Sequence, residues 1–94
     1  MPVIQKSFAS PSLDLWLASR NASGVMRLAG RYPEAERYAR ESLKVAEDAH
    51  MSRDDARLGN SWEWLGEALC MENKSAEGIA ALQQAQTIYR NAGE

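Results

Sequence analysis

Apolar residues recur along this chain at steps of three and four, and no stretch alternates between apolar and polar with a strand's period of two. Punctuation cuts that pattern into segments. Ser10 is suited to cap a first helix, with Pro11 at a first helical position and Asp14 in the first turn. This helix should run to about Ala29 and stop at Gly30, which tolerates the left-handed conformation of a helix end. A second helix restarts at Pro33 and runs to about His50. Ser52 with Asp55 three residues on reads as a capping box for a third, which should end near Glu72 with Asn73 as its stop. Ser75 then caps a fourth helix that frays at Asn91–Glu94. The expectation is an all-α chain.

The second helix is unusual in what it offers a core. At 100° per residue, Ala35, Tyr38, Ala39, Ser42, Val45, Ala46 and Ala49 share one face, opposite Glu36, Arg37, Arg40, Glu41 and Lys44. A face of Ala and Ser lets a helix approach its neighbours closely. This helix should therefore lie wedged between two others, with bulk supplied by Trp16, Met26, Leu58, Trp62, Leu65 and Leu69.

A period underlies the segments. Gly30 and Asn73 stand 43 residues apart, and the same shift pairs Leu15 with Leu58, Ser23 with Gly66, Met26 with Leu69, Ala35 with Gly78 and Val45 with Ile88. Few identities result, but small and apolar positions coincide through both helices of each pair. A period of this size indicates stacked helical hairpins. The expected organisation is an N-terminal extension over 1–10 and a helical domain over 11–94, with repeats at about 11–51 and 52–94.

Composition narrows the function. The chain has 94 residues, 45% hydrophobic, and a net charge of −2, so it lacks the basic footprint of a nucleic-acid or anionic-membrane binder. Cys70 is the sole cysteine, which excludes an internal disulfide framework, and no apolar run suits a signal peptide or membrane span. A cytoplasmic location is the expectation. His50 stands alone at a helix end, Cys70 has no second His or Cys for a metal, and no Gly-rich phosphate loop is present. No catalysis, metal or cofactor is expected.

Two stretches carry a family likeness. "WEWLGEAL" sets Trp62, Leu65, Gly66 and Leu69 at a W-x2-L-G spacing, and "GRYPEAERYARES" sets Gly30, Tyr32, Ala35, Tyr38 and Ser42 in register. The sequence resembles tetratricopeptide repeats, over about residues 13–93, in the long-period form found in kinesin light chains and bacterial regulators. The resemblance implies two tandem helix-turn-helix hairpins, four antiparallel helices in a short right-handed α-solenoid. It also implies a concave groove, lined by the first helix of each repeat, that binds a peptide or protein segment. Ser19, Ala22 and Ser23 stand where the first repeat would carry the Trp and Leu-Gly, and Asn73-Lys74-Ser75 replaces the Gly-aromatic turn in the second.

On that reading the groove comprises Leu17, Arg20, Asn21, Arg27 and Leu28 from the first helix, and Asn60, Glu63, Trp64, Glu67 and Met71 from the third. Trp64 and Met71 lie outside the core stripe, as contact anchors do, unless an N-terminal segment with Val3, Ile4 and Phe8 folds over them. Arg20 and Arg27 either receive an acidic ligand or pair with Glu63 and Glu67 across the groove. Two functions follow: a protein-interaction module, freestanding or part of something longer, or a peptide-sensing or regulatory fragment of a larger bacterial regulator. With two hairpins the core is small, and a homodimer built on the fourth-helix flank around Ile79, Gln86 and Tyr89 is expected.

Overall fold

The structure, a computed structural model, describes residues 9–93, with side chains from Leu13 onward. It consists of four α-helices, α1 (Ala9–Leu28), α2 (Tyr32–Asp48), α3 (Ala56–Met71) and α4 (Ser75–Asn91), and no strand occurs among the described residues. The expectations centred on residues 1–8 lie outside those described.

The helix ends repeat as the sequence suggested, and more closely. Left-handed residues stand at Gly30 (φ 77°), His50 (φ 57°), Asn73 (φ 67°) and Gly93 (φ 90°). Gly30 and Asn73 are 43 apart, as are His50 and Gly93. Behind Gly30, Arg31 N donates to Met26 O at 2.8 Å and Gly30 N to Arg27 O at 3.0 Å, the paired bonds of a Schellman motif. The same pair recurs at His50–Met51, onto Glu47 and Ala46, and at Asn73–Lys74, onto Cys70 and Leu69. Each motif consumes carbonyls that a helix end leaves without partners.

The starts differ from expectation. The first helix begins at Ala9, so Ser10 and Pro11 lie within its first turn and not at its cap. Proline is tolerated there because first-turn N–H groups have no intrahelical acceptor. Asp55, not Ser52, caps α3: its carboxylate accepts from Arg57 N at 2.9 Å and is gripped by the Arg57 guanidinium at 2.7 Å. That grip holds the Asp55 carboxyl below its ordinary value. Ser52 Oγ instead accepts from Asp54 N in the approach to the helix. Ser75 is the first residue of α4, whose cap position falls to Lys74 with no side-chain bond.

Packing follows chain order. α1 lies on α2, α2 on α3 and α3 on α4, while α1 also touches α3 directly. The small-residue helix is thus held between two others, with Ala35, Ala39, Ser42 and Ala46 buried. Within each hairpin the close approach falls at matched positions. In the first, Ser23 Oγ donates to the Ala35 carbonyl at 2.8 Å. In the second, a Cβ added at Gly66 would come within 2.9 Å of the Gly78 carbonyl, and one at Gly78 within 2.9 Å of the Gly66 carbonyl. Only glycine permits that contact at either position.

Ser61 joins the hairpins. Its Oγ accepts from the Trp16 indole at 2.9 Å and shares a 2.9 Å hydrogen bond with Ser42 Oγ, so α1, α2 and α3 meet at one buried hydroxyl. Beside it Ala39, Leu65, Leu69 and Ala81 form a buried cluster, with Leu43 and Trp62 packed against it. Ala81 of α4 is buried in this cluster, and Ala92, just past the end of the same helix, is exposed. Ala81 meets α3, whereas its counterpart on α2 at the 43-residue interval, Tyr38, is only half-buried.

Candidate interaction face between the first and third helices

The α1 face toward α3 carries Arg20, Gly24 and Arg27, one turn apart on successive turns. Gly24 has no side chain, and the Trp64 ring of α3 fills the gap: an added Cβ would lie 2.5 Å from its edge. The arginines close over that ring. The Arg20 guanidinium carbon lies 4.8 Å from the Trp64 ring centre and 5.4 Å from that of Trp16, and the Arg27 carbon lies 5.3 Å from Trp64. The result is a stack of alternating ring and cation, in which the indole face offsets part of the cations' lost hydration. The Nε–H groups of both arginines are covered and donate to no hydrogen-bond acceptor.

The remaining polar groups are paired. Arg20 donates to Asn60 Oδ1 at 2.7 Å and to Asn21 Oδ1 at 3.0 Å, and Arg27 meets Glu67 at 3.4 Å. Of the two arginine–glutamate pairs entertained from sequence, the one with Glu67 forms. Glu63 instead accepts from the Tyr89 hydroxyl of α4 at 2.9 Å. Around this polar centre lie three exposed apolar groups: Leu17 (42%), Met71 (55%) and Leu28 (81%). Beyond Arg27 a hollow of about 370 Å3 opens, lined by Arg27, Tyr32, Glu67, Cys70, Met71 and Leu82.

The structure therefore brings Arg20, Asn21, Arg27, Asn60, Trp64 and Glu67 together. It places Leu17, Leu28 and Met71 at the border and turns Glu63 toward α4. Trp64 is half-buried against α1 and is not an open anchor, because a glycine on the facing helix makes room for it. The sequence contains that signal: a Gly inside a helical run, four residues after one Arg and three before another. Tyr89 likewise is not a freestanding flank residue. Its ring lies where a Cβ on Gly59 would come within 2.9 Å, and it is half-buried.

Two larger hollows, missed by sequence reasoning, lie along the α2 side. One of about 460 Å3 is lined by Leu43, Met51 and Leu58, and one of about 510 Å3 lies between α2 and α4 over Leu65 and Leu69. Arg40 and Trp62 line both, so Trp62, read as core, is half-exposed.

A charged cluster marks the junction of α2 with the α3–α4 turn. Lys74 Nζ lies 3.2 Å from Glu36 and 3.5 Å from Glu72, and Arg40 binds Glu36 at 2.7 Å. Burial pushes the Glu36 carboxyl up, but hydrogen bonds involving Arg40, Glu72 and Lys74 outweigh it and hold it at about 2. Burial, and then the Glu36 carboxylate beside it, raise Glu72. Among the described residues, no helix is long and apolar enough to cross a membrane, and no group of His, Cys, Asp or Glu is placed to hold a metal. No family model, curated protein or solved structure matches the chain.

Proposed function

We propose that the chain is a non-catalytic protein-interaction module built from two tetratricopeptide-like hairpins, taking a peptide or protein segment on the α1/α3 face. The hairpin repeat is supported by left-handed helix ends that recur at a 43-residue interval and by the matched crossings at Ser23–Ala35 and Gly66–Gly78. The binding face rests on one observation. The Arg20–Trp64–Arg27 stack fixes a polar, hydrogen-bonded centre in place, and Leu17, Leu28 and Met71 stand exposed around it. A rigid polar centre with an apolar border suits an extended segment that carries both carboxylate or amide groups and apolar side chains. The net charge of −2 favours a protein partner over nucleic acid or an anionic membrane.

Trp64 also holds α1 to α3, so its truncation would disturb fold and binding together. Met71 and Leu28 separate the two. A random peptide library displayed on phage, panned against the full chain, supplies ligands. The proposal predicts that an enriched peptide shifts the amide resonances of Arg20, Arg27, Trp64 and Met71, and that Met71→Glu with Leu28→Glu weakens it at least tenfold at unchanged melting temperature. Shifts confined to Arg40, Leu43 and Trp62, or to Arg37 and Glu41, would overturn the assignment of the face.

A further inference from the structure

The contact between the two hairpins has counterparts on the outward faces of α1 and α4. On α3 the stripe Leu58, Ser61, Leu65, Ala68 and Glu72 faces α2, with Ser61, Leu65 and Ala68 almost wholly buried. Set back by the 43-residue interval, the same stripe on α1 is Leu15, Ala18, Ala22, Val25 and Ala29. No described element covers it: Leu15 and Val25 are each 58% exposed, and Ala18 and Ala29 are exposed as well. At the other end, the α2 residues Glu36, Ala39, Ser42 and Leu43 advance by the same interval to Ile79, Leu82, Ala85 and Gln86 on α4. These four line an open hollow of about 310 Å3, with Ile79 52% exposed.

The two ends have changed in concert. At the internal contact Ser42 and Ser61 share a buried hydrogen bond, and their counterparts are Ala85 at one end and Ala18 at the other. Glu36 and Glu72 sit together through Lys74, and their counterparts are Ile79 and Ala29. Each polar pair becomes an apolar pair, and the charge that remains, on Arg31 as the counterpart of Lys74, is already paired with Glu34 at 2.8 Å. Surfaces that faced only water would have no reason to match each other in this way. One position departs from the scheme: Gln86 replaces Leu43 opposite Leu15, which loosens the contact without placing a charge in it.

We infer that copies of this chain associate head to tail, the α4 flank of one seated on the α1 stripe of the next as α2 is seated on α3. This differs from the symmetric dimer expected from α4 alone, which sets Ile79 against itself and leaves the α1 stripe bare. A head-to-tail contact uses two different surfaces and adds copies one after another.

Mixing single-face variants separates these arrangements. Val25→Glu spoils only the α1 stripe and Ile79→Glu only the α4 flank, and both positions are exposed enough for the fold to tolerate the change. Sedimentation of the wild-type chain should show an average mass that rises with concentration past two copies. Each variant alone should stay at one copy, and an equimolar mixture should form two-copy species and nothing larger. The inference is overturned if the wild type stays at one copy throughout, if either variant alone associates as the wild type does, or if the mixture stays at one copy. Circular dichroism checks that each variant is folded, and Leu15→Glu stands in for Val25→Glu should that variant lose its helices.

Discussion

The two hairpins, α1–α2 and α3–α4, share one backbone plan and fill it in opposite ways. In the first, the buried Trp16 stands on α1 and its partner position on α2 is Ala46, with no exposed surface. In the second, the corresponding residues are Gly59 and Tyr89, and the Tyr89 ring covers Gly59. A turn or two along, only the second hairpin carries bulk: Ser23 and Ala39 correspond to Gly66 and Leu82, with Leu82 lying over Gly66. The left-handed ends are exchanged too, glycine closing α1 and α4 while His50 and Asn73 close α2 and α3. What the repeat preserves is therefore which positions face each other across a hairpin and that side-chain bulk stands between the helices. Which helix supplies that bulk is free to change, as expected where packing density and not residue identity sets stability.

The largest expected effect comes from breaking one of these exchanges. Trp16→Gly removes the indole and one of the two hydrogen bonds at Ser61, and should cost about 3–5 kcal/mol in denaturant unfolding. Adding Ala46→Tyr should recover about 1–3 kcal/mol of that, since it reproduces the small-large order of the second hairpin, whereas Ala46→Tyr alone should destabilise by overpacking. Purely additive losses would show that the exchange of volumes is incidental. Next in size is the helix crossing. Gly66→Ala drives a Cβ toward a backbone carbonyl that cannot swing away and should cost about 1–3 kcal/mol. Ser23→Ala at the matched position loses one buried hydrogen bond, about 1 kcal/mol. Equal costs at the two crossings would mean that the hairpins do not approach as closely as described.

Smaller effects sharpen the comparison of ends. His50→Gly relieves a left-handed side chain and should stabilise by about 0.5–1 kcal/mol, more than Asn73→Gly, because asparagine tolerates that conformation better. At the junction, Glu72 is raised above its ordinary 4.5 by burial and by Glu36. A raised carboxyl gives stability that is complete below the unfolded value and lost as pH rises through the folded one. Glu72→Gln should therefore raise the melting temperature at pH 7, with the gain fading as pH falls and absent below 4.5. A gain that persists at pH 3 would place the cause outside this ionisation.

Much of the fold was legible because helix ends and spacing are local. Gly30 and Asn73 announced their stops, and the alanine face of α2 announced close neighbours on two sides. The caps at Asp55 and Lys74 were misplaced by one to three residues because a serine, Ser52 or Ser75, stands near each start, and which residue caps depends on where the chain turns. The proposed face was legible as a set of residues, apart from Glu63, but not as an arrangement. Trp64 read as an anchor because it lies off the apolar stripe of its own helix, and only the glycine on the opposite helix shows why it packs inward. Pairings across helices, such as Tyr89 with Glu63, depend on distances that no single helix encodes.

The central claim is that the two hairpins are matched units locked together at Ser61 and Trp64. Nuclear Overhauser spectroscopy on the isotopically labelled chain tests it most directly, through protons on α1 and α3. The account predicts contacts from the Trp16 indole N–H to Ser61 Hβ and from the Trp64 ring edge to Gly24 Hα. Contacts within each hairpin without either of these would contradict it.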